Sequence, residues 1–197
     1  MAFTRYNSLV ILDWDNTLFP STWVTKNFIN LNDIETRYKY LDFFTELDEL
    51  IYNLLKKILY KSKVIIVTNA MPIWIKISSS VLPKTQSLLK HIKVISARKN
   101  FQKISTDATE WKKLAFKDEV NNELNIENKQ NIVSIGDASY EYKALISLYN
   151  KNRILKSMKF LEDPTFDILK DQIEVLCENI ESVIDYPKHL DLIFKNK

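Results

Sequence analysis

The chain has 197 residues, 46% of them apolar and 27% charged, and a single glycine where average usage of about 7% gives roughly fourteen. That count excludes dinucleotide fingerprints, Walker loops and kinase glycine loops, which need several positions without a Cβ to bring backbone amides against phosphate. Lys and Arg number 28 and Asp and Glu 25, a net charge of +3 spread along the chain, so no basic patch points to nucleic acid.

Ser8-Leu9-Val10-Ile11-Leu12 is a continuous apolar run of the kind that forms a strand buried on both faces of a parallel sheet. Leu47, Leu50, Ile51, Leu54, Leu55, Ile58 and Leu59 follow a 3.6-residue period and predict a helix, with Thr45 and Asp48 as a capping pair at its start. Val64-Ile65-Ile66-Val67 is the second strand. Pro72 suits the first turn of a helix carrying Ile73, Ile77 and Val81, which Pro83 breaks or kinks. Ile92-Lys93-Val94-Ile95 gives a third strand, Leu114 to Leu124 a helix, Ile132-Val133-Ser134-Ile135 a fourth strand, and Tyr142 to Tyr149 a further helix. A weaker fifth run spans Arg153 to Phe160. The last helix is expected to start at Asp163-Pro164, with Asp163 as its cap, and to bury Ile168, Leu169, Ile173, Leu176, Ile180 and Val183, with Cys177 as a small buried apolar residue.

Strands alternating with helices predict an α/β fold, a three-layer doubly wound parallel sheet of about five strands in a single domain over 1–197. No repeat or linker interrupts it, and a chain of this size buries about 70% of its unfolded surface without a staple. The apolar run from Leu9 to Leu12 is too short for a signal peptide or a membrane span, and Cys177 has no partner for a disulfide, so a cytoplasmic location is expected and no membrane contact. In such a sheet the chemistry lies just beyond the carboxyl ends of the strands.

Asp13-Trp14-Asp15-Asn16-Thr17 follows the first strand. Its two crowded carboxylates repel and call for a cation between them or a shared proton, and Mg²⁺ fits this oxygen-rich setting. Thr68-Asn69 ends the second strand just ahead of a helix start, where a hydroxyl and free amides suit an anion such as phosphate. Gly136-Asp137 follows the fourth strand, with Glu141 one helical turn on, so that Asp137 joins Asp13 and Asp15 around one cation. His91 and His189 lie far from these residues in sequence and are expected in structural or surface positions. Cys177 has Val183, not arginine, six positions on, which argues against a cysteine phosphatase.

Taken together, these residues resemble the haloacid dehalogenase superfamily of aspartate-nucleophile phosphohydrolases, over the span from about Leu9 to Tyr149. Asp13-Trp14-Asp15-Asn16-Thr17 is similar to its first motif, Thr68 to its second, and Gly136-Asp137 with Glu141 to its fourth. The third motif is a lysine near the start of the helix before the fourth strand. Lys112 is favoured for it and Lys113 is the nearest rival. The family has glycine where Asn16 stands, and asparagine is the best other occupant of positive φ. A narrower resemblance, to members sharing Asp-Trp-Asp-Asn-Thr-Leu-Phe-Pro and a later Ser96-Ala97-Arg98, carries no substrate with it.

The resemblance implies a Mg²⁺-dependent phosphatase. Asp13 attacks phosphorus to give an aspartyl-phosphate, and Asp15 protonates the leaving oxygen and then activates water. Thr68 and Lys112 meet the phosphoryl charge, and Thr17, Asn69 and Lys113 help bind substrate. Asp13, Asp137 and the Asp15 main-chain carbonyl hold the metal. Glu141 stands behind them, orienting Lys112 or a water, and Gly136 leaves the site room. Retention of Asp15 favours phosphatase or phosphotransferase chemistry over the dehalogenating and ATPase branches. Family lids enter after the first motif or before the motif lysine. Lys99 to Trp111 is too short for a folded cap, whereas 19–43 can form a flap or minimal cap, with Trp14 and Trp23 at the rim. So open a site suits a phosphoprotein or a nucleic-acid end, with a small metabolite as the alternative. A phosphotransferase with an acceptor other than water, and a scaffold that no longer turns over, are the competing readings; the oligomeric state stays open.

Overall fold

Six strands form one parallel sheet in the computed structural model, which describes residues 7–124 and 129–195. In chain order the elements are β1 (Ser8–Leu12), α1 (Ser21–Lys26), α2 (Ile34–Lys39), α3 (Leu41–Lys61), β2 (Lys63–Thr68), α4 (Pro72–Ser79), α5 (Pro83–Leu89), β3 (Lys93–Ser96), α6 (Ala97–Phe101), α7 (Ala108–Glu123), β4 (Gln130–Gly136), α8 (Ser139–Ile146), β5 (Arg153–Lys159), α9 (Phe166–Asp185) and β6 (Leu190–Ile193). Strand residues alternate between faces. Val10, Leu12, Val64, Ile66, Val133 and Ile135 therefore pack under α3 and α9, whereas Leu9, Ile11, Ile65, Val67 and Ile132 pack under α7 and α8. Two apolar layers on opposite faces give the three-layer, doubly wound arrangement. No helix among the described residues is long and apolar enough to cross a membrane.

The strand order is β3-β2-β1-β4-β5-β6. From β1 the chain winds outward one way to β3, then starts again at β4 and winds the other way. The reversal falls between β1 and β4, which pair from Ser8 with Asn131 to Leu12 with Ile135. Connections leaving these two strands diverge, and the crevice between them is where such sheets hold ligands.

The sheet has one strand more than the five expected. Leu190–Ile193 is only four residues long, interrupted by Asp191 and mostly exposed, an edge strand that needs no long apolar run because only one side of it is paired. Helix starts also differ from expectation. Thr45 and Asp48 lie inside α3, which starts at Leu41; the buried Asp48 carboxylate instead accepts from Lys84 N (2.8 Å) and Thr85 N (2.7 Å) and so caps α5. Pro83 therefore opens a new helix, its missing amide being one the first turn leaves unpaired. Thr165, not Asp163, caps α9 through Ile168 N (3.3 Å). Asp163 sits at φ 51° in the preceding turn, with Thr22 Oγ1 donating to its carboxylate at 2.9 Å. Cys177 is half-buried on α9. The 19–43 stretch holds the two short helices α1 and α2, and between β3 and α7 lie only α6 and a loop.

Candidate active site

Asp13 continues β1 by one residue, its amide donating to Ile135 O at 2.9 Å, so its side chain emerges at the strand-order reversal. Beyond it the chain curls back on itself: Leu18 N and Phe19 N both donate to Trp14 O at 2.9 Å and Asn16 N donates to Phe19 O at 2.7 Å. Closing this loop places Asn16 at φ 56°, a conformation its short polar side chain tolerates. The same side chain clasps the start of α1, accepting from Thr22 N and donating to Thr22 Oγ1, both at 2.9 Å. Asn16 is thus both the turn residue and the tie between the Asp13–Asp15 loop and the flap.

Lys112 reaches this point from α7, whose first turn is capped by Asp107 through Thr109 N (2.8 Å). Only 1% of it is exposed. Its ammonium spends all three N–H groups, on Asp13 Oδ1 (2.5 Å), Val67 O (2.5 Å) and Glu141 Oε1 (2.8 Å). Glu141 uses its other oxygen to accept from Ala138 N at 3.2 Å, fixing the start of α8. Thr68, the last residue of β2, is fully buried; its hydroxyl accepts from Ala70 N (3.0 Å) and donates to Asp15 Oδ2 (3.4 Å). Asp137 directly follows β4 and is 8% exposed.

These groups line a cleft of about 180 Å³ together with Asn16, Asn69, Ala138 and Tyr140. Four carboxylates, Asp13, Asp15, Asp137 and Glu141, face one ammonium there. Burial pushes Asp13 well above its ordinary range; Lys112 opposes that, and Glu141, Asp137 and Asp15 add to it. Asp137 is pushed up to about 7, by burial first and then by Glu141. Burial acts to lower Lys112, but Asp13 and Glu141 outweigh it and hold its ammonium above the ordinary lysine range. The persistent positive charge is therefore Lys112. Without a further cation, the crowded carboxylates favour uptake of protons among themselves.

Several expected site residues lie elsewhere. Thr17 is fully buried outside the cleft lining, because the turn at Asn16 sends its side chain into the protein. Lys113 also lies outside the lining and pairs with Glu110 at 2.7 Å; adjacent helix positions point about 100° apart, so only one of the two lysines faces the cleft. Asn69 lines it, with its amide donating to Ala108 O at 3.4 Å. Trp14 is fully buried rather than at the rim, and its indole donates to Ser78 Oγ at 2.9 Å. Trp23 is half-buried against Tyr40, Phe43 and Phe166, with the nearest ring centroid at 5.1 Å. Gly136 leaves room for Glu141: a Cβ there would stand 2.3 Å from Glu141 Cγ, the nearest atom it meets.

Two neighbours of Asp15 carry no mark in the sequence. The Trp74 indole donates to Asp15 Oδ1 at 2.6 Å, and the Ser21 hydroxyl donates to the same oxygen. Both depend on how α4 and α1 are rotated about their axes, which local sequence does not encode.

Among the described residues no group of three or more His, Cys, Asp or Glu side chains is gathered so as to hold a metal ion by itself. The carboxylate-bearing residues that line the cleft are Asp13, Asp15, Asp137 and Glu141. No protein-family model matches the chain, and no curated protein matches it either.

Proposed function

We propose that this protein is a Mg²⁺-dependent phosphomonoester hydrolase of the haloacid dehalogenase type, with Asp13 as the nucleophile. One observation carries the reading: a buried aspartate at the strand-order reversal, ion-paired to a buried lysine, with a second aspartate two residues on, a threonine ending the adjacent strand and a third aspartate ending the other. Phosphoryl transfer needs positioning and charge neutralisation more than covalent machinery, and these are the parts for it.

Asp13 Oδ1 is held by Lys112, which leaves Oδ2 as the attacking oxygen. As the Asp13–phosphorus bond forms, the bond from phosphorus to the ester oxygen breaks. That oxygen keeps the bonding pair and takes a proton from Asp15, leaving as an alcohol. Water then attacks the aspartyl-phosphate and gives its proton to Asp15; the Asp13–phosphorus bond breaks, releasing inorganic phosphate and leaving Asp13 a carboxylate and Asp15 the acid again. Lys112 and the Thr68 hydroxyl meet charge on the transferring oxygens.

The donor set fits Mg²⁺. Two carboxylates and one main-chain carbonyl are too few for an all-protein cage, and Mg²⁺ characteristically completes its shell with water and substrate oxygen. Asp13, Asp137 and the Asp15 carbonyl would hold it. When bound it supplies positive charge to the phosphoryl oxygens and offsets the carboxylates that otherwise draw protons to Asp13 and Asp137. A cleft of about 180 Å³ has room for the phosphoryl group and little more, so the leaving group extends beyond it. With only two short helices after β1 as cover, a phosphate presented on a larger molecule suits the site.

The test is turnover of 4-nitrophenyl phosphate with and without Mg²⁺, together with capture of beryllofluoride on Asp13. Wild type is expected to do both, and Asp13→Asn neither. Folded protein that gives neither turnover across a broad phosphate panel nor an adduct refutes the proposal.

A further inference from the structure

We infer that Trp74 and Ser21 are positioning residues that clamp one oxygen of Asp15, so that the other oxygen is the one that exchanges protons with the leaving group and with water; this rests on the phosphatase reading above. The clamp is asymmetric. Trp74 Nε1 donates to Oδ1 at 2.6 Å and Ser21 Oγ donates to that same oxygen, while Oδ2 accepts from the Thr68 hydroxyl at 3.4 Å, its one hydrogen bond among the described residues. The terminal torsion of a carboxylate is broad and roughly two-fold. Two donors on one oxygen remove that freedom, which matters because proton transfer requires a heavy-atom distance of about 2.6–3.2 Å to the group being protonated.

Trp74 suits the task for two reasons. An indole is a donor only and cannot itself take part in the proton traffic. Its ring is also fixed: Phe19 packs edge-on against it with centroids 5.9 Å apart, and Phe19 in turn stacks on Trp14 at 6.1 Å. The two tryptophans lock the same pair of segments in opposite senses. Trp14, from the loop after β1, donates to Ser78 of α4 at 2.9 Å, and Trp74, from α4, donates back to Asp15 of that loop. Ser78 Oγ donates to Trp74 O at 2.8 Å, which closes the lock. On the other side Ser21 is the first residue of α1, whose start is clasped by Asn16. Asp15 is therefore gripped between the flap helix and α4, and its side chain is placed by one element six residues on and one remote from it in sequence.

Loss of the clamp should be felt by esters that need their leaving oxygen protonated. An alkoxide departs only as it receives a proton, whereas 4-nitrophenolate departs as an anion. The measurement is kcat/KM, which reports steps through cleavage of the ester, for glycerol 2-phosphate and 4-nitrophenyl phosphate. In Trp74→Phe and Ser21→Ala the ratio of the first to the second is expected to fall about tenfold or more, since misplacement of a catalytic group by 1 Å costs up to about 10²-fold. Ser21→Thr keeps the hydroxyl and is expected to restore the wild-type ratio. In ¹⁵N-labelled protein the indole resonance lost in Trp74→Phe identifies Trp74, and Asp15→Asn is expected to move it. An unmoved resonance overturns the hydrogen bond. A moved resonance with an unchanged ratio in both clamp variants overturns the positioning role. Should wild type turn over no ester of a broad phosphate panel and capture no beryllofluoride, the phosphatase reading fails and the proton-exchange role falls with it, and the indole resonance still shows whether Trp74 holds Asp15.

Discussion

Adding one methyl group at Gly136 and removing Glu141 should couple strongly, and the sign is set by geometry. A Cβ built at 136 lies 2.3 Å from Glu141 Cγ, 2.6 Å from Cδ and 2.8 Å from Oε2, distances at which the Glu141 side chain has to shift out of its present position. No described glycine has positive φ, so Gly136 is required here for want of space and not for backbone freedom. Displacing Glu141 breaks its 2.8 Å ion pair with the buried Lys112 and its bond to Ala138 N. Severing a buried pair costs about 3–5 kcal/mol. Lys112 keeps Asp13 and Val67 O, so the lower end applies, and replacing glycine by alanine returns about 0.4–1 kcal/mol through the unfolded chain. Gly136→Ala alone is therefore expected to cost about 2–3 kcal/mol, from these two contributions. In a Glu141→Ala background all three clashing atoms are gone, and the same substitution should be neutral or stabilise by up to about 1 kcal/mol. Urea denaturation of the four proteins gives the coupling, expected near 3 kcal/mol, the upper end for residues in contact. An equal cost in both backgrounds, to within about 0.5 kcal/mol, would show that Glu141 is not what the glycine accommodates.

Other expectations follow from buried carboxylates. Asp137 has its folded pKa raised to about 7 from 3.8, so between those values the folded protein holds a proton that the unfolded chain has released. Without divalent cation this group therefore takes stability away as pH rises from about 4, in full once pH passes about 7. Asp137→Asn should gain on wild type between pH 4 and pH 8 in thermal melts, and Mg²⁺ should raise the wild-type Tm more at pH 8 than at pH 5, because the cation competes with the proton. Identical pH slopes in wild type and variant would contradict this. Asp48 accepts two backbone N–H groups at the start of α5 while almost fully buried, so Asp48→Ala is expected to cost about 2–4 kcal/mol in urea denaturation. A loss below about 0.5 kcal/mol would mean that water replaces both bonds.

How legible the molecule is in its sequence varies with the range of the interactions involved. The first four strands announce themselves as apolar or near-apolar runs because strands covered on both faces are mostly apolar; β5, which buries Lys156 and Ser157, is legible only as a weaker run, and β6, paired on one side and open to solvent, is under no such demand. Helix existence follows from the 3.6-residue period, but two of the expected caps do not. Asp48 and Asp163 have the right chemistry for capping, yet which amide they meet depends on what packs beside them, another helix for Asp48 and the flap for Asp163.

The candidate site divides in the same way. That Asp13, Thr68 and Asp137 lie at one end of the sheet follows from their places just after apolar runs, since parallel strands all finish on the same side. That β1 and β4 are neighbours, so that Asp13 and Asp137 share a crevice, comes from the sheet order. Sequence alone could name two lysines. Only the rotation of α7 decides that Lys112 is buried against Asp13 and Glu141 while Lys113 turns toward Glu110. Trp14 was expected at the rim and lies in the core, while Trp74, unmarked by any motif, holds Asp15. Periodicity and strand-end chemistry are local and are written along the chain. The partner of each polar side chain is set by helix rotation and sheet order, which arise only when the apolar faces close on one another.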